Sequence, residues 1–317
     1  MSGRSGRGPR RAQAAALAAG ETTAAFSHGS GSSREALKGR IFLAALILSV
    51  AIGLVMLVAL IVKAFVDGLP RLNLDLVTSF PSSFPERAGI ESAIWGTAWL
   101  MAGVSATVLP IGIGAAIYLE EYARKDRWYN RLIEANIQNL AAVPSIVYGI
   151  LGLAFIVRGP LGLGDVVLAG SLTLALLVLP TVILASREAI RAVPASIREA
   201  ALALGATRWQ MIRRQVLPAA TPGLATGMIL ALSRAIGETA PLLLVGGVTF
   251  ITFNPGFDLS ALDSPFTALP LTIFNYVARP QDEFRVVAAA AIIVLLVLLL
   301  TMNSFAIWLR NRYQRKW

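Results

Sequence analysis

The chain has 317 residues, of which 56% are hydrophobic and only 15% are charged. A soluble domain carries about a quarter of its residues as Asp, Glu, Lys or Arg, so this composition excludes most soluble folds and favours a membrane protein. A formal charge of +10 would suggest nucleic-acid binding in a soluble protein, but in a membrane protein the placement of the charges matters more than their sum. Without cysteine, and with His28 as its single histidine, the sequence offers no thiolate or histidine metal site.

The first 34 residues are rich in Gly, Ser, Ala and Arg and contain few large apolar side chains. Such a segment cannot bury enough apolar surface to offset the entropy lost on ordering. We therefore predict a disordered tail over residues 1–34, followed by one transmembrane domain over residues 35–317.

Six apolar stretches are long enough to cross a membrane, since about 20 helical residues span a hydrocarbon core of about 30 Å. Five of them contain no charged residue, and the other contains only Arg234 and Glu238. The predicted spans are residues 41–62, 94–119, 135–157, 166–186, 219–248 and 286–309. The sequence thus predicts an all-α integral membrane protein with six transmembrane helices.

The distribution of Lys and Arg predicts how these spans are oriented. The face that holds both termini carries 21 of these residues and the opposite face carries 6. Because short cytoplasmic segments are enriched in Lys and Arg, both termini are predicted to lie in the cytoplasm. Orientation and contact with anionic lipid headgroups account for the basic composition, so we expect no nucleic-acid partner.

Motifs that would give the chain its own catalytic activity are absent from the sequence. It contains no G-x-x-x-x-G-K-[ST] loop to cradle nucleotide phosphates, no G-x-S-x-G nucleophile elbow and no H-E-x-x-H zinc pair. We therefore expect a non-catalytic chain that has no metal or cofactor of its own.

The segment between the fourth and fifth spans, residues 187–218, is longer than a connection between neighbouring helices requires. Ser196 precedes Glu199 by three positions, which is the spacing of a capping box at a helix N-terminus. Gly205 follows a run of good helix formers and can adopt the left-handed conformation that ends a helix. A short helix is predicted between Pro194 and Gly205.

A second short helix is predicted after this glycine, because Thr207 precedes Gln210 at the same capping-box spacing. It is expected to run to Leu217, after which Pro218 resets the chain into the next span. The resulting cytoplasmic hairpin either docks into a partner or lies among the lipid headgroups, and the pattern alone leaves both roles open. Its apolar residues available for burial are Leu202, Trp209, Met211 and Ile212.

The hairpin resembles the EAA loop of ABC-importer permeases, in which E-A-A-x-x-x-G is followed by a later L-P. The matching residues are Glu199, Ala200, Ala201, Gly205, Leu217 and Pro218. In that family the loop is a coupling helix that inserts into a groove on a cytoplasmic ATPase. The resemblance implies that these residues, with Ser196 and Trp209, contact an ATPase, and that ATP-Mg is bound by that partner.

Four longer segments, within residues 65–285, resemble the PstA-type permease subunits of phosphate ABC importers. They are SFPSSFPERAGIESAIWGT (79–97), NLAAVPSIVYGILGL (139–153), SRAIGETAPLL (233–243) and FTALPLTIFNYVARPQDEF (266–284). The resemblance implies the type I importer fold and a place in the bacterial plasma (inner) membrane. It also implies four partners: a homologous PstC-like permease, a PstB-like ATPase dimer, an extracytoplasmic PstS-like phosphate-binding protein and the membrane lipids.

Other functions are compatible with the same residues. The nearest alternatives are a permease for another oxyanion, sulfate or molybdate, and the PstC-type partner subunit. An ion-gradient-driven carrier or channel belongs to a different class, and it would transport without nucleotide.

Arg234, Glu238 and Thr239 are the predicted residues of the substrate pathway. Arg234 and Glu238 are four positions apart and can pair on one helix face. A charge at the centre of a span is costly, so both side chains are expected to face protein or water. An arginine fork matches phosphate in charge and geometry, and the carboxylate would weaken that contact enough for release. The alternative role is a structural ion pair that locks the fifth helix to its neighbours.

Overall fold

The computed structural model describes residues 33–124, 126–256 and 258–313. The predicted disordered tail lies outside them, except for its last two positions, which begin the first helix. The chain divides into two compact units, Met1–Val62 and Lys63–Trp317. Helices and their connections make up the described residues, with one isolated β-bridge between Val166 and Pro265.

Twelve α-helices are formed by the described residues. In chain order they are α1 (Ser33–Gly68), α2 (Leu74–Thr78), α3 (Glu91–Ile117), α4 (Trp128–Ala141), α5 (Ser145–Leu151), α6 (Val167–Arg191), α7 (Ala195–Ala203), α8 (Arg208–Met211), α9 (Leu217–Gly237), α10 (Ala240–Leu244), α11 (Leu269–Ala278) and α12 (Glu283–Tyr313). Turns of π-helix continue α3, α5 and α8, at Tyr118–Tyr122, Gly152–Val157 and Ile212–Val216.

The prediction of an all-helical, six-span protein is confirmed. Five helices are long and apolar enough to cross a membrane, and α4 with the extended α5 forms a sixth span if this bent pair is counted as one. The helices α1, α3, α6 and α12 start before the predicted apolar stretches or end after them, because polar residues at their ends also adopt helical geometry. In α1, residues 37–62 are exposed throughout, as is expected of an apolar helix made to be covered by lipid or by another chain.

The centre of the larger unit is built from α3, α6 and α9, with α5 and α10 beside them. Its buried side chains are mostly Val, Leu, Ile and Ala. Small residues let the helices approach closely, as is usual in membrane bundles. A Cβ added to Gly103 would lie 2.5 Å from the Ser171 hydroxyl, and one added to Gly227 would lie 2.6 Å from Cβ of Ala185.

A separate apolar cluster lies where α3 and α12 begin. It includes Leu76, Ile90, Leu269, Tyr276 and Phe284, all fully buried. The Tyr276 hydroxyl donates a 2.7 Å hydrogen bond to the Gly89 carbonyl, and its ring stacks on Phe284. Burial raises the pKa of Tyr276 to about 12, so this hydroxyl stays protonated and acts as a donor. We call this group the cap cluster; it holds together the connections at the end of the bundle remote from the hairpin.

Candidate translocation site and coupling hairpin

Two helices of the bundle are broken at prolines. A proline ring clashes with the carbonyl four residues earlier, which is Leu140 for Pro144 and Gly237 for Pro241. Accordingly α4 ends at Ala141, and α5 leaves at an angle of 107°. Likewise α9 ends at Gly237, and α10 starts at Ala240. The predicted spans over residues 135–157 and 219–248 are thus each interrupted next to a proline.

The backbone at the first break is satisfied by a tyrosine. The Leu140 carbonyl accepts a 2.9 Å hydrogen bond from the Tyr148 hydroxyl and a 3.1 Å bond from the Val143 amide. Inside a membrane such replacement bonds are what allow a helix to be interrupted. Tyr148 is itself buried.

The two broken helices meet at α5 and α10. A Cβ added to Gly149 would lie 2.7 Å from Cα of Pro241, so only glycine permits this approach. Discontinuous helices that meet within a bundle are where many transporters hold their substrates, because the interrupted backbone can face a cavity. The crossing of the two breaks is thus the part of the fold best suited to a translocation site.

Arg234 and Glu238 border the second break. Nε of Arg234 lies 3.4 Å from Oε1 of Glu238, so the two side chains pair, but they do not share one helix face as predicted, because α9 ends at Gly237. The Arg234 side chain is 48% exposed and that of Glu238 is 18% exposed. Thr239 is half-buried, and its carbonyl accepts the Leu243 amide in the first turn of α10. The long, partly exposed ion pair leaves the guanidinium with donors available to a ligand.

The hairpin after α6 contains the two predicted short helices. Thr207 and Gln210 form the predicted capping box, and Gly205 has the predicted left-handed backbone, with φ of +81°. The other predicted capping box is absent, because α7 begins at Ala195 with Pro194 at its N-cap. Ser196 is therefore already inside the helix, where its hydroxyl cannot reach back to cap the first amides.

The second helix of the hairpin continues directly into the next span. After α8 the chain passes through the π-helical turn into α9, so the prediction that Pro218 resets the chain was wrong. Pro218 lies in the first turn of α9, directly after the π-helical turn, and the helical backbone continues through it although proline has no amide to donate. The helix α9 is thereby connected to the hairpin by continuous helical backbone.

The hairpin has an inner face and an outer face. Met211, Ile212 and Val216 are buried in an apolar cluster with Ala116 and Ile190, so two of the four residues predicted to be available for burial are covered by this chain itself. The outer face stays exposed, and its residues are Ser196, Glu199, Ala200, Leu202, Leu204 and Trp209. Within the described residues the Glu199 side chain has no hydrogen bond or ion pair. The half-buried Ala201 packs against the inner cluster.

Buried charges behind the hairpin were missed by the sequence analysis. Glu120, in the π-helical turn after α3, is 5% exposed and accepts hydrogen bonds from Arg187 Nε at 2.9 Å and Arg191 Nη2 at 2.6 Å. Arg187 is 4% exposed and also pairs with Glu134 of α4. This network joins the ends of α3 and α6 to the middle of α4.

The neighbouring glutamate serves a different helix. Glu121 is also 5% exposed, and its Oε1 lies 3.0 Å from Nη2 of Arg198 in α7. Two adjacent carboxylates at the end of an apolar stretch, with arginines at four-residue spacing at the end of another, were a signal that could have indicated such a network. The sequence did not show which carboxylate meets which arginine.

Residues 108–315 match the family of binding-protein-dependent transport system inner membrane components. This match covers about two thirds of the chain, including both breaks and the hairpin. The chain belongs to this family.

Individual relatives of this inner membrane component extend the similarity beyond the matched region. The probable ABC transporter permease protein YqgI of Bacillus subtilis is 30% identical over 277 residues, which are 85% of this chain and 94% of the relative. The phosphate transport system permease protein PstA of Yersinia pestis is 33% identical over 270 residues, covering 85% of this chain and 88% of the relative.

Solved structures support the fold of this inner membrane component. A bacterial ABC transporter involved in the import of the acidic polysaccharide alginate aligns with a TM-score of 0.62 at 18% identity, covering 89% of this chain and 99% of that one. A chain of the MetNI methionine ABC transporter aligns with a TM-score of 0.53 over 71% of this chain. These likenesses show the type I ABC importer fold.

Proposed function

We propose that this chain is a permease subunit of an ATP-driven ABC importer for inorganic phosphate. It forms half of the translocation pathway, a homologous permease forms the other half, and a separate ATPase dimer binds and hydrolyses ATP-Mg. An extracytoplasmic binding protein delivers the anion. The chain itself catalyses no reaction. The observation that carries this proposal is the partly exposed Arg234 at the crossing of two broken helices, in a chain similar to phosphate transport permeases.

Arg234 has the chemistry needed to contact phosphate during passage. A guanidinium matches the anion's oxygens in charge and in fork geometry. Glu238 neutralises Arg234 when the site is empty, and it repels the anion when the site is occupied. Weak binding of this kind suits a transporter, because a site that binds too tightly does not release its substrate. Thr239 adds a hydroxyl at the same break.

The hairpin is proposed to be the coupling element. Glu199, Leu202 and Trp209 on its outer face are exposed and available to a groove on the ATPase. Its inner face is fixed to α3 and α6 by the apolar cluster and the buried ion pairs. In this arrangement both termini and the hairpin face the cytoplasm of a bacterial inner membrane, as the distribution of Lys and Arg predicts.

Transport by the reconstituted complex tests the proposal. This chain is assembled with its permease, ATPase and binding-protein partners in liposomes, and uptake of labelled phosphate is measured with and without ATP. We expect ATP-dependent uptake that excess unlabelled phosphate suppresses and that equal sulfate or molybdate does not. Liposomes containing this chain alone, with an imposed ion gradient and no nucleotide, are the control for the carrier or channel alternative.

Each outcome assigns one of the alternative functions. Stronger suppression by sulfate or molybdate than by an equal concentration of unlabelled phosphate would identify a permease for that oxyanion. Uptake by the chain alone without nucleotide would overturn the ABC permease function.

Cysteine labelling from the outside provides a test of orientation, because the natural chain has no cysteine. A cysteine replacing Leu204 should be protected in intact cells, while one replacing Leu259, exposed near the opposite end, should react.

A further inference from the structure

Arg198 contacts three structural elements at once. Its Nε and Nη2 atoms each lie 3.0 Å from Oε1 of Glu121, at the end of α3. Its Nη1 donates a 2.5 Å hydrogen bond to the Val193 carbonyl, and its Nη2 donates a 2.8 Å bond to the Ile190 carbonyl. Arg198 itself lies in α7, the first helix of the hairpin.

The Ile190 carbonyl lies in the last turn of α6, which finishes at Arg191, and the Val193 carbonyl lies in the connection that follows. The last carbonyls of a helix have no amide partner within it, and a cation at this position also interacts favourably with the helix dipole. One guanidinium therefore satisfies the end of α6 and neutralises a buried carboxylate of α3. The single ammonium of a lysine could not reproduce this planar fork of contacts.

The π-helical turn after α3 separates the partners of two adjacent glutamates. Glu120 binds Arg187 and Arg191 of α6, while Glu121 binds Arg198 of the hairpin, and both carboxylates are 5% exposed. Such π-helical turns are rare and often lie at functional sites. Here the turn ties the end of α3 to a membrane-spanning helix through one residue and to the hairpin through the next.

Other contacts hold the hairpin against the same turn without replacing this link. The guanidinium of Arg208 in α8 lies 5.1 Å from the ring centre of Tyr122. Apolar packing of Ile212 and Val216 is non-directional and tolerates sliding. By contrast, the Arg198 contacts are directional hydrogen bonds and an ion pair.

We infer that Arg198 and Glu121 are positioning residues through which a displacement of the hairpin is transmitted to α3 and α6 together, so that these elements move as one body. This inference rests on the proposed function. In this role the pair determines how much phosphate is transported per ATP hydrolysed, and neither residue contacts substrate or nucleotide.

The test measures phosphate uptake and ATP hydrolysis by the complete complex in liposomes. In Arg198→Gln and in Glu121→Gln, the phosphate taken up per ATP hydrolysed should fall about fivefold or more, while ATP hydrolysis without binding protein persists. Arg198→Lys should restore only part of this ratio. The matched control is Arg285→Gln, which removes an arginine from an exposed pair with Asp282 and should leave the ratio unchanged.

If those single variants fail to assemble, a double cysteine variant tests the same inference. The combined Glu121→Cys and Arg198→Cys variant removes both charges, and it contains the only two cysteines of the chain. It should be uncoupled, and a flexible bifunctional maleimide that bridges the two thiols should restore coupling, whereas a monofunctional maleimide should not. Normal coupling before bridging, or loss of transport on bridging, would overturn the inference.

Failure of the proposed function gives a different result. A wild-type complex that hydrolyses ATP without taking up phosphate would contradict the proposed substrate and leave the link intact. In that case the same variants are scored by the stimulation of ATP hydrolysis on addition of binding protein. Equal stimulation in wild type and variants would overturn the link.

Discussion

Two arginine–glutamate pairs in this protein have the same chemistry in opposite surroundings. Arg187 and Glu120, at the hairpin end of α3 and α6, are 4% and 5% exposed and lie 2.9 Å apart. Arg234 and Glu238, at the break after α9, are 48% and 18% exposed and lie 3.4 Å apart. The first pair joins two helices, and the second joins residues of one local segment. The buried pair is therefore suited to holding the bundle together, and the exposed pair to exchanging its partner.

This difference bears on the alternative role of Arg234 as a structural lock. A lock between helices requires a partner on another helix, as Arg187 has in Glu120 and Glu134. Among the described residues the only ion-pair partner of Arg234 is Glu238, four positions away. Within this chain the geometry thus favours a site that meets a ligand, and a lock would need the partner permease.

The largest effect is expected from breaking the buried pair. Arg187→Gln leaves Glu120 with one arginine fewer inside the protein, so the free energy of unfolding should fall by about 3–5 kcal/mol. Denaturant titration of the purified chain in detergent measures this loss. Arg285→Gln, in an exposed pair, should change it by less than about 1 kcal/mol. Equal losses in the two variants would contradict the distinction between buried and exposed pairs.

The exposed pair should affect transport and leave stability nearly unchanged. Arg234→Ala removes the proposed charge-assisted hydrogen bonds to the anion, so phosphate uptake should fall about ten- to hundredfold, while the free energy of unfolding changes by about 1 kcal/mol or less. Arg234→Lys should retain part of the uptake, because it keeps the charge but loses the fork. Assembled complexes with full uptake in both variants would remove Arg234 from the pathway.

Loss of a neutral buried hydrogen bond should lower the free energy of unfolding less than loss of one partner of a buried ion pair. Tyr276→Phe deletes the hydroxyl that donates to the Gly89 carbonyl in the cap cluster, which should lower the free energy of unfolding by about 1–3 kcal/mol. The comparison is with Tyr118→Phe, since Tyr118 is 49% exposed and its hydroxyl can bond to water. An equal loss of unfolding free energy in Tyr276→Phe and Arg187→Gln would contradict the expectation that a buried ion pair contributes more to stability than a buried neutral hydrogen bond.

The smallest effect is expected at the backbone of the hairpin. Gly205 has φ of +81°, so Gly205→Ala should destabilise the chain by about 1–2 kcal/mol. Gly114 lies within α3 with open space where a Cβ would be, and Gly114→Ala should stabilise it by about 0.5–1 kcal/mol. Opposite signs in thermal unfolding would confirm that the hairpin depends on its left-handed turn. A stabilising Gly205→Ala would contradict it.

Local patterns were sufficient for much of the fold. The uncharged stretches predicted the long helices, because a bilayer requires internally bonded apolar segments of a given length. The Thr207–Gln210 capping box and the glycine at position 205 were predicted correctly, since both depend on neighbouring residues alone. The Ser196 box failed for a local reason too, because Pro194 shifted the start of α7 to Ala195.

The sequence by itself determined the membrane class, the number of spans, the hairpin and the proximity of Arg234 to Glu238, since each follows from composition or from spacing between near neighbours in the chain. Only the tertiary structure decided that α5 meets α10, that Glu121 binds Arg198, and that Met211 faces inward while Trp209 faces outward. Glu121 and Arg198, for example, are 77 positions apart in the chain, and contacts of this kind depend on how helices cross. Periodicity within one helix carries no information about that crossing.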